Sequence, residues 1–210
     1  MNVKRKSSGA PGAARRRTQA ERSEATRAAL IATARSLFAA RGYAGVGTEE
    51  LVRASGVTRG ALYHHFEGKA DLFGAVFEDV ERELAAKLGA EALSKPDPWE
   101  GLVAALGMFL DVCAEPEVQR IALLDAPSVL GWEAWREVEA RYGLGLIKLA
   151  LQNLIDAGIV ERQPVDPLAH AILGTLAEAG LYVARADDVE AARAEMGAVL
   201  RRMLEGLRSP

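Results

Sequence analysis

Apolar and polar positions alternate at a helical period along almost all of the 210-residue chain. From about Ser23 to Arg41, Leu30/Ile31, Ala34 and Leu37/Phe38 recur three and four residues apart, and Gly42 supplies a C-terminal cap. Two short apolar-patterned stretches follow, Thr48 to Ala54 and Thr58 to His65, joined only by Ser55-Gly56-Val57. Three residues are too few for a flexible loop, so the pair predicts a helix-turn-helix. Gly56 can take a left-handed conformation in the turn, Val57 tucks between the helices, and Thr58 caps the second one. Lys69 to about Leu93 reads as one long helix with the stripe Leu72/Phe73, Val76/Phe77, Val80, Leu84 and Leu88, broken by Ser94-Lys95-Pro96-Asp97-Pro98.

Five more helices are predicted, at about Pro98 to Glu115, Pro116 to Leu124, Gly131 to Ala157, Asp166 to Ala186 and Asp188 to Arg208. Their punctuation is Pro116, Ala126-Pro127-Ser128, Gly158, Gln163-Pro164 with Pro167, and Ala186-Asp187-Asp188, and Asp166 and Asp187 or Asp188 are the expected caps. There is no internal repeat and no sustained heptad. The expected fold class is all-α: a three-helix helix-turn-helix head over residues 23–68, joined by the long helix to a helical body over 69–210. Residues 1–22 carry Lys4-Arg5-Lys6 and Arg15-Arg16-Arg17 without an apolar period and are expected to be a disordered basic arm. Such arms can add phosphate contacts or reach a minor groove.

Composition agrees, with half the residues apolar and helix formers dominant. No apolar run reaches the roughly 18 residues of a membrane span, and no apolar region follows the N-terminal charges as in a secretory signal. A cytoplasmic location is therefore expected. Cys113 stands alone on an apolar helix face and reads as a core residue, and no Cys/His spacing suits a metal or calls for a cofactor.

The net charge of -3 hides an asymmetry that changes the picture. Residues 1–68 hold 12 Lys/Arg against 5 Asp/Glu, whereas 69–210 hold 14 against 24. A basic front on an acidic body is the layout of a DNA reader whose second domain stays off the phosphates. In the second short helix Leu62 and Phe66 face inward with Val57, leaving Arg59, Gly60, Tyr63 and His64 outside. Arg59 can fork onto a guanine edge or hold a phosphate, and Tyr63, His64, His65 and Lys69 suit phosphate oxygens. Gly60 and Ala61 are small where a helix must come closest to a major groove.

With these residues in place, the first third of the chain resembles the TetR family of one-component bacterial regulators. The resemblance is carried within residues 26–73 by Gly42-Tyr43, Ala54-Ser55-Gly56-Val57-Thr58-Arg59-Gly60, Leu62-Tyr63-His64-His65-Phe66, Lys69 and Leu72-Phe73. One departure is Gly47, where the family usually has a Ser or Thr N-cap that touches a phosphate; here the hydroxyl is displaced to Thr48. The resemblance implies a regulator, most simply a repressor, that binds a palindromic double-stranded DNA operator as a homodimer through its last two long helices. Those helices carry small residues such as Ala169, Ala171, Gly174, Ala179 and Gly180, then Ala191, Ala192 and Gly197, which would also suit packing within one chain.

The resemblance further implies a small-molecule effector of unidentified structure, enclosed in the body. The candidate lining residues are Phe77, Met108, Phe109, Val112, Leu123, Trp132, Trp135, Tyr142 and His170, with Glu178 as a polar partner, the alternative for the apolar ones being ordinary core. Effector binding would then favour a body geometry in which the long helices splay the heads. Against an enzyme, the chain has no GxSxG, HExxH, phosphate-binding glycine loop or Cys/His pair, and two of its three histidines lie in the DNA-reading motif. A remaining alternative is a helical adaptor with a vestigial DNA-binding head and an acidic, protein-binding body.

Overall fold

Thr18 and Glu21 start the first helix by a reciprocal cap: the Thr18 hydroxyl accepts from the Glu21 N–H, and the Glu21 carboxylate accepts from the Thr18 N–H. The computed structural model describes residues 18–209. In chain order the helices are α1 (Gln19–Arg41), α2 (Thr48–Ser55), α3 (Arg59–His65), α4 (Lys69–Leu93), α5 (Pro98–Cys113), α6 (Pro116–Val118), α7 (Ala126–Leu130), α8 (Trp132–Glu139), α9 (Gly145–Asp156), α10 (Val165–Ala184) and α11 (Val189–Glu205). Two π-helical segments, Gln119–Asp125 and Ala140–Leu144, join α6 to α7 and α8 to α9. β structure among the described residues is confined to one antiparallel bridge between Val160 and Arg208. The expected all-α class holds.

Three boundaries differ from expectation. The capping box puts the start of α1 at Gln19 rather than Ser23, so the last residues assigned to the basic arm are helical; residues 1–17 lie outside the described residues. Pro127 does not break the chain. Ala126 N–H donates to Ile121 O, five residues back, and this wider π turn carries the helix past a ring that would clash in α register. Asp166 is not a cap, because α10 begins at Val165; its carboxylate instead pairs with Lys148 at 2.6 Å. Asp97 and Asp188 do cap α5 and α11, accepting from backbone N–H groups at 2.7–3.1 Å.

α10 is the one helix among the described residues with the length and composition to cross a membrane, at a mean hydropathy of 1.2 over 18 residues. Asp166, His170 and Glu178 interrupt it, so the expectation of no uninterrupted apolar run of that length stands. In this fold the helix packs against α5, α9 and α11.

The head and body share one buried cluster. It runs from Leu30, Ala34 and Phe38 of α1 through Leu51 of α2, Leu62 of α3 and the α4 stripe to Ile121, Ala126 and Trp135. At its centre Phe38 meets Phe73 edge-on with centroids 5.2 Å apart, and Tyr43 meets Phe73 at 5.3 Å. A second cluster joins α5 to α10 and α11 through Leu106, Leu110, Ala179, Val183, Leu200 and Leu204. Ala169, Ala179, Gly180 and Ala192 of the small-residue stripes are therefore buried within the protomer, whereas Ala171, Gly174, Val199 and Met203 face outward.

Polar ties cross the same junction. Arg35 of α1 holds both carboxylate oxygens of Glu117, at 2.7 and 3.0 Å, and also reaches Asp79 at 3.1 Å and Glu83 at 2.8 Å. The Glu117 hydrogen bonds, foremost, raise the Arg35 pKa, so its charge is fixed at every accessible pH. The Tyr43 N–H donates to Asp125 at 2.7 Å. Phe73 is wholly buried among these contacts, so Phe73→Ala should lower unfolding free energy by about 3–5 kcal/mol, read as a lower urea midpoint.

Candidate nucleic-acid interface

The turn before α3 follows from two residues. Gly56 ends α2 in the left-handed region, at φ 68° and ψ 17°, and Thr58 caps α3 by accepting from Ala61 N–H at 3.1 Å. Leu62 and Phe66 then bury themselves against the head, Phe66 beneath the Arg27 guanidinium at 5.3 Å from the ring centroid. Helical geometry puts the remaining residues outside. Thr58, Arg59, Gly60, Tyr63 and His64 are exposed, and Ala61 and His65 are half-buried beside them. The Arg59 guanidinium lies 5.7 Å from the Tyr63 ring centroid, and the His64 and His65 rings meet edge-on at 5.1 Å.

This face is short, and Arg59 gives it a positive charge. A Cβ built on Gly60 would meet only the Thr58 hydroxyl at 3.9 Å, so nothing inside the protein requires a glycine there. A helical glycine costs about 0.5–1 kcal/mol relative to alanine. The glycine leaves open space on the outer side of α3.

Lys69 is placed differently from the others. Its ammonium donates to the Tyr43 and Val46 carbonyls, both at 3.0 Å, and sits 3.8 Å from the Tyr43 ring centroid. Two of its three hydrogens are thus spent tying the α1–α2 loop to the start of α4. Thr48 is half-buried at the first turn of α2, whose N-cap Gly47 makes no side-chain cap bond. Arg41 is the functional-looking cation that sequence reading passed over. It grips Glu50 bidentately at 2.6 and 2.7 Å and holds the Glu50 carboxyl below its usual range, so it braces α1 against α2.

The residues expected to line an effector cavity do not converge. Phe77, Val112, Leu123 and Trp135 are buried core, and Met108 packs half-buried against them. Trp132 is 66% exposed, its ring tilted against that of Trp135 with centroids 5.1 Å apart, and lies under Arg136. Tyr142 donates its hydroxyl to Glu78 at 2.9 Å, and His170 and Glu178 lie on the exposed side of α10. Only Phe109 borders the large apolar cavity, of about 480 Å³, which lies between the C-terminal end of α4 and helices α5, α9, α10 and α11. The periodicity located apolar stripes but not which stripe faces a void.

Two half-buried carboxyls of the body, Glu81 and Glu139, are shifted. Glu81, on α4, is pushed up to about 8, first by burial and then by the charge of Glu139. Burial likewise raises Glu139 and the Cys113 thiol, with Arg136 at 2.8 Å opposing the shift at Glu139. Cys113 is a buried core thiol with little thiolate character, as its sequence context suggested.

A basic helix-turn-helix presented on a helical body defines a DNA-binding regulator. Comparison with known proteins agrees. Residues 30–76 match the family described as bacterial regulatory proteins, tetR family, and residues 99–207 match the tetracyclin repressor-like C-terminal domain. A TetR-family transcriptional regulator from Pectobacterium atrosepticum is 39% identical, covering 92% of this chain and 99% of that one, with a TM-score of 0.84. RolR, solved in complex with resorcinol, shares the fold at 24% identity, covering 88% of this chain and 90% of that one, with a TM-score of 0.71. The HTH-type transcriptional regulator CymR of Pseudomonas putida is 38% identical over 101 residues; the chain spans about half of that regulator's length, 48%. The chain belongs to the TetR family of transcriptional regulators.

Two measurements check this geometry. Gly60→Ala should raise unfolding free energy by about 0.5–1 kcal/mol while weakening DNA retention. For Glu81, the folded value lies above the unfolded one, so the folded state holds a proton that the unfolded state releases and stability falls as pH rises from about 4.5 towards 8. Glu81→Gln should remove that fall, so that its melting temperature exceeds that of the wild type at pH 8 but not at pH 4.

Proposed function

We propose that the chain is a homodimeric, effector-released repressor of a palindromic operator, with residues 18–68 as reading head and 69–210 as effector-binding and dimerising body. The observation that carries the DNA-binding half is the exposed cluster of Arg59, Gly60, Tyr63 and His64 on a capped helix whose opposite face is buried. In this reading Arg59 contacts a guanine edge or a phosphate, and Tyr63, His64 and His65 contact phosphates. The Thr58 hydroxyl keeps its hydrogen for a phosphate, because its oxygen serves the cap as acceptor. Thr48 and the free N–H groups behind Gly47 take a second phosphate, and Lys69 adds charge and its remaining hydrogen.

One short helix reads only a few base pairs. Two heads about 34–36 Å apart, on successive major-groove turns, supply the missing specificity. The outward faces of α10 and α11, with Ala171, Gly174, Tyr182, Val199 and Met203, support a two-fold helical interface. α4 is shared by the head core and the cavity wall, so an effector that tilts it moves the recognition helix. Lowering operator affinity 100-fold asks for about 2.7 kcal/mol of coupling.

Duplexes captured from the organism's own genome supply the test. Salt-dependent gel retardation should show tight binding by the wild type, a loss of about 10–100-fold for Arg59→Ala, and abolition when Tyr63→Ala is added. Equal binding by the double variant would discard the assigned face and favour the adaptor alternative.

A further inference from the structure

The cavity in the body carries its own chemical specification. Its wall is drawn from the ends and flanks of five helices: Leu88 on α4, Ala105 and Phe109 on α5, Leu151 on α9, Leu176 on α10 and Leu204 on α11 mark its extent. At about 480 Å³ it lies within the range of about 300–1,000 Å³ usual for small-molecule sites. No Asp or Glu lines it, and Lys95 is the one ionisable residue on its wall. Lys95 stands at the exposed rim, already paired with Glu91 at 3.3 Å. The Thr175 hydroxyl donates its hydrogen to the Ala171 carbonyl at 2.9 Å and keeps only its oxygen as an acceptor, so the Asn153 carboxamide, also at an exposed position, is the contact that offers both donor and acceptor.

A charged molecule entering such a space gives up hydration and meets no counter-ion. An apolar one gives up little and covers Leu106, Leu151, Leu200 and Leu204, the buried part of the wall, whereas Ala171 and Met203 at the rim belong to the outward faces of α10 and α11. The rim includes Leu88, Ala92 and Leu93 of α4, the helix whose other end is embedded in the head core. We infer that this cavity is the effector site and that its effector is an uncharged, predominantly apolar molecule with at most one hydrogen-bonding group, placed at Asn153. The inference rests on the effector-released reading for its consequence, though not for the binding itself.

The full-length wild type is titrated with the neutral fluorophore N-phenyl-1-naphthylamine, which is then competed with a decyl chain carrying an alcohol, a carboxylate or an ammonium group. Fluorescence should rise on binding, and decanol should displace the probe at a concentration lower by about tenfold or more than decanoate or decylamine. Ala105→Phe and Ala150→Phe, which fill the cavity from two helices, should each weaken the probe by about tenfold or more at an unchanged melting temperature. The head-group series reads out whether or not either variant folds. Equal displacement by all three competitors, or wild-type affinity in both folded variants, overturns the inference. So does a shift from dimer to monomer on sedimentation of Ala105→Phe, since the space would then seat a second copy. Decanol that displaces the probe yet leaves duplex retardation unchanged would sink the release reading and leave the site standing.

Discussion

Everything in this protein depends on the aromatic junction at the start of α4. Phe38 and Tyr43 each meet Phe73 edge-on, and the Lys69 ammonium lies against the Tyr43 ring while holding two backbone carbonyls of the preceding loop. Because these residues come from α1, the loop after it and α4, the junction fixes the three-helix head and at the same time welds it to the helix that enters the body. Buried aromatic contacts of this kind tolerate little sliding, since the interior is close-packed and each ring has few alternative seats.

A rigid weld explains why the polar contacts around it are arranged as they are. Arg35 gathers Glu117, Asp79 and Glu83, and Asp125 accepts the Tyr43 N–H, so α1 is tied to both α4 and the α6–α7 region. These bonds are part-exposed and individually worth little. Their number and their spread over three elements give the head a defined orientation that the apolar weld alone, being non-directional, would not specify. The head is therefore held at one orientation to the body.

The head was the most legible part of the sequence because its determinants are local. Gly56, Thr58 and the spacing of Val57, Leu62 and Phe66 lie within a dozen residues, and each acts through caps and turns that do not depend on distant partners. The start of α1 was equally legible in Thr18 and Glu21, three apart, but the basic composition around them reads as disorder and outweighed it. The body was legible only as a number of helices. Which face of α5 or α10 meets a void, and which meets a neighbour, is decided by how several helices pack together, and helices apolar on several sides give no local sign of it. His170 and Glu178 illustrate the point: each sits one helical position away from buried residues, Ala169 and Ala179, and faces outward. The Lys69 ammonium was legible as a cation beside the reading motif, but not as one already committed to two carbonyls.

The two π segments have an unequal evolutionary freedom. A π turn is an α turn with one residue more, so removing a residue from either segment would return that helix to ordinary winding rather than sever it. In Ala140–Leu144 no proline follows, and the segment is held instead by side chains, Tyr142 on Glu78 and Leu144 in the core. In Gln119–Asp125 the ring of Pro127 follows at once, and ordinary winding would drive it into a carbonyl of the preceding turn. Among descendants of this chain the backbone itself locks the length of the first segment, whereas only side-chain contacts resist a change in the second.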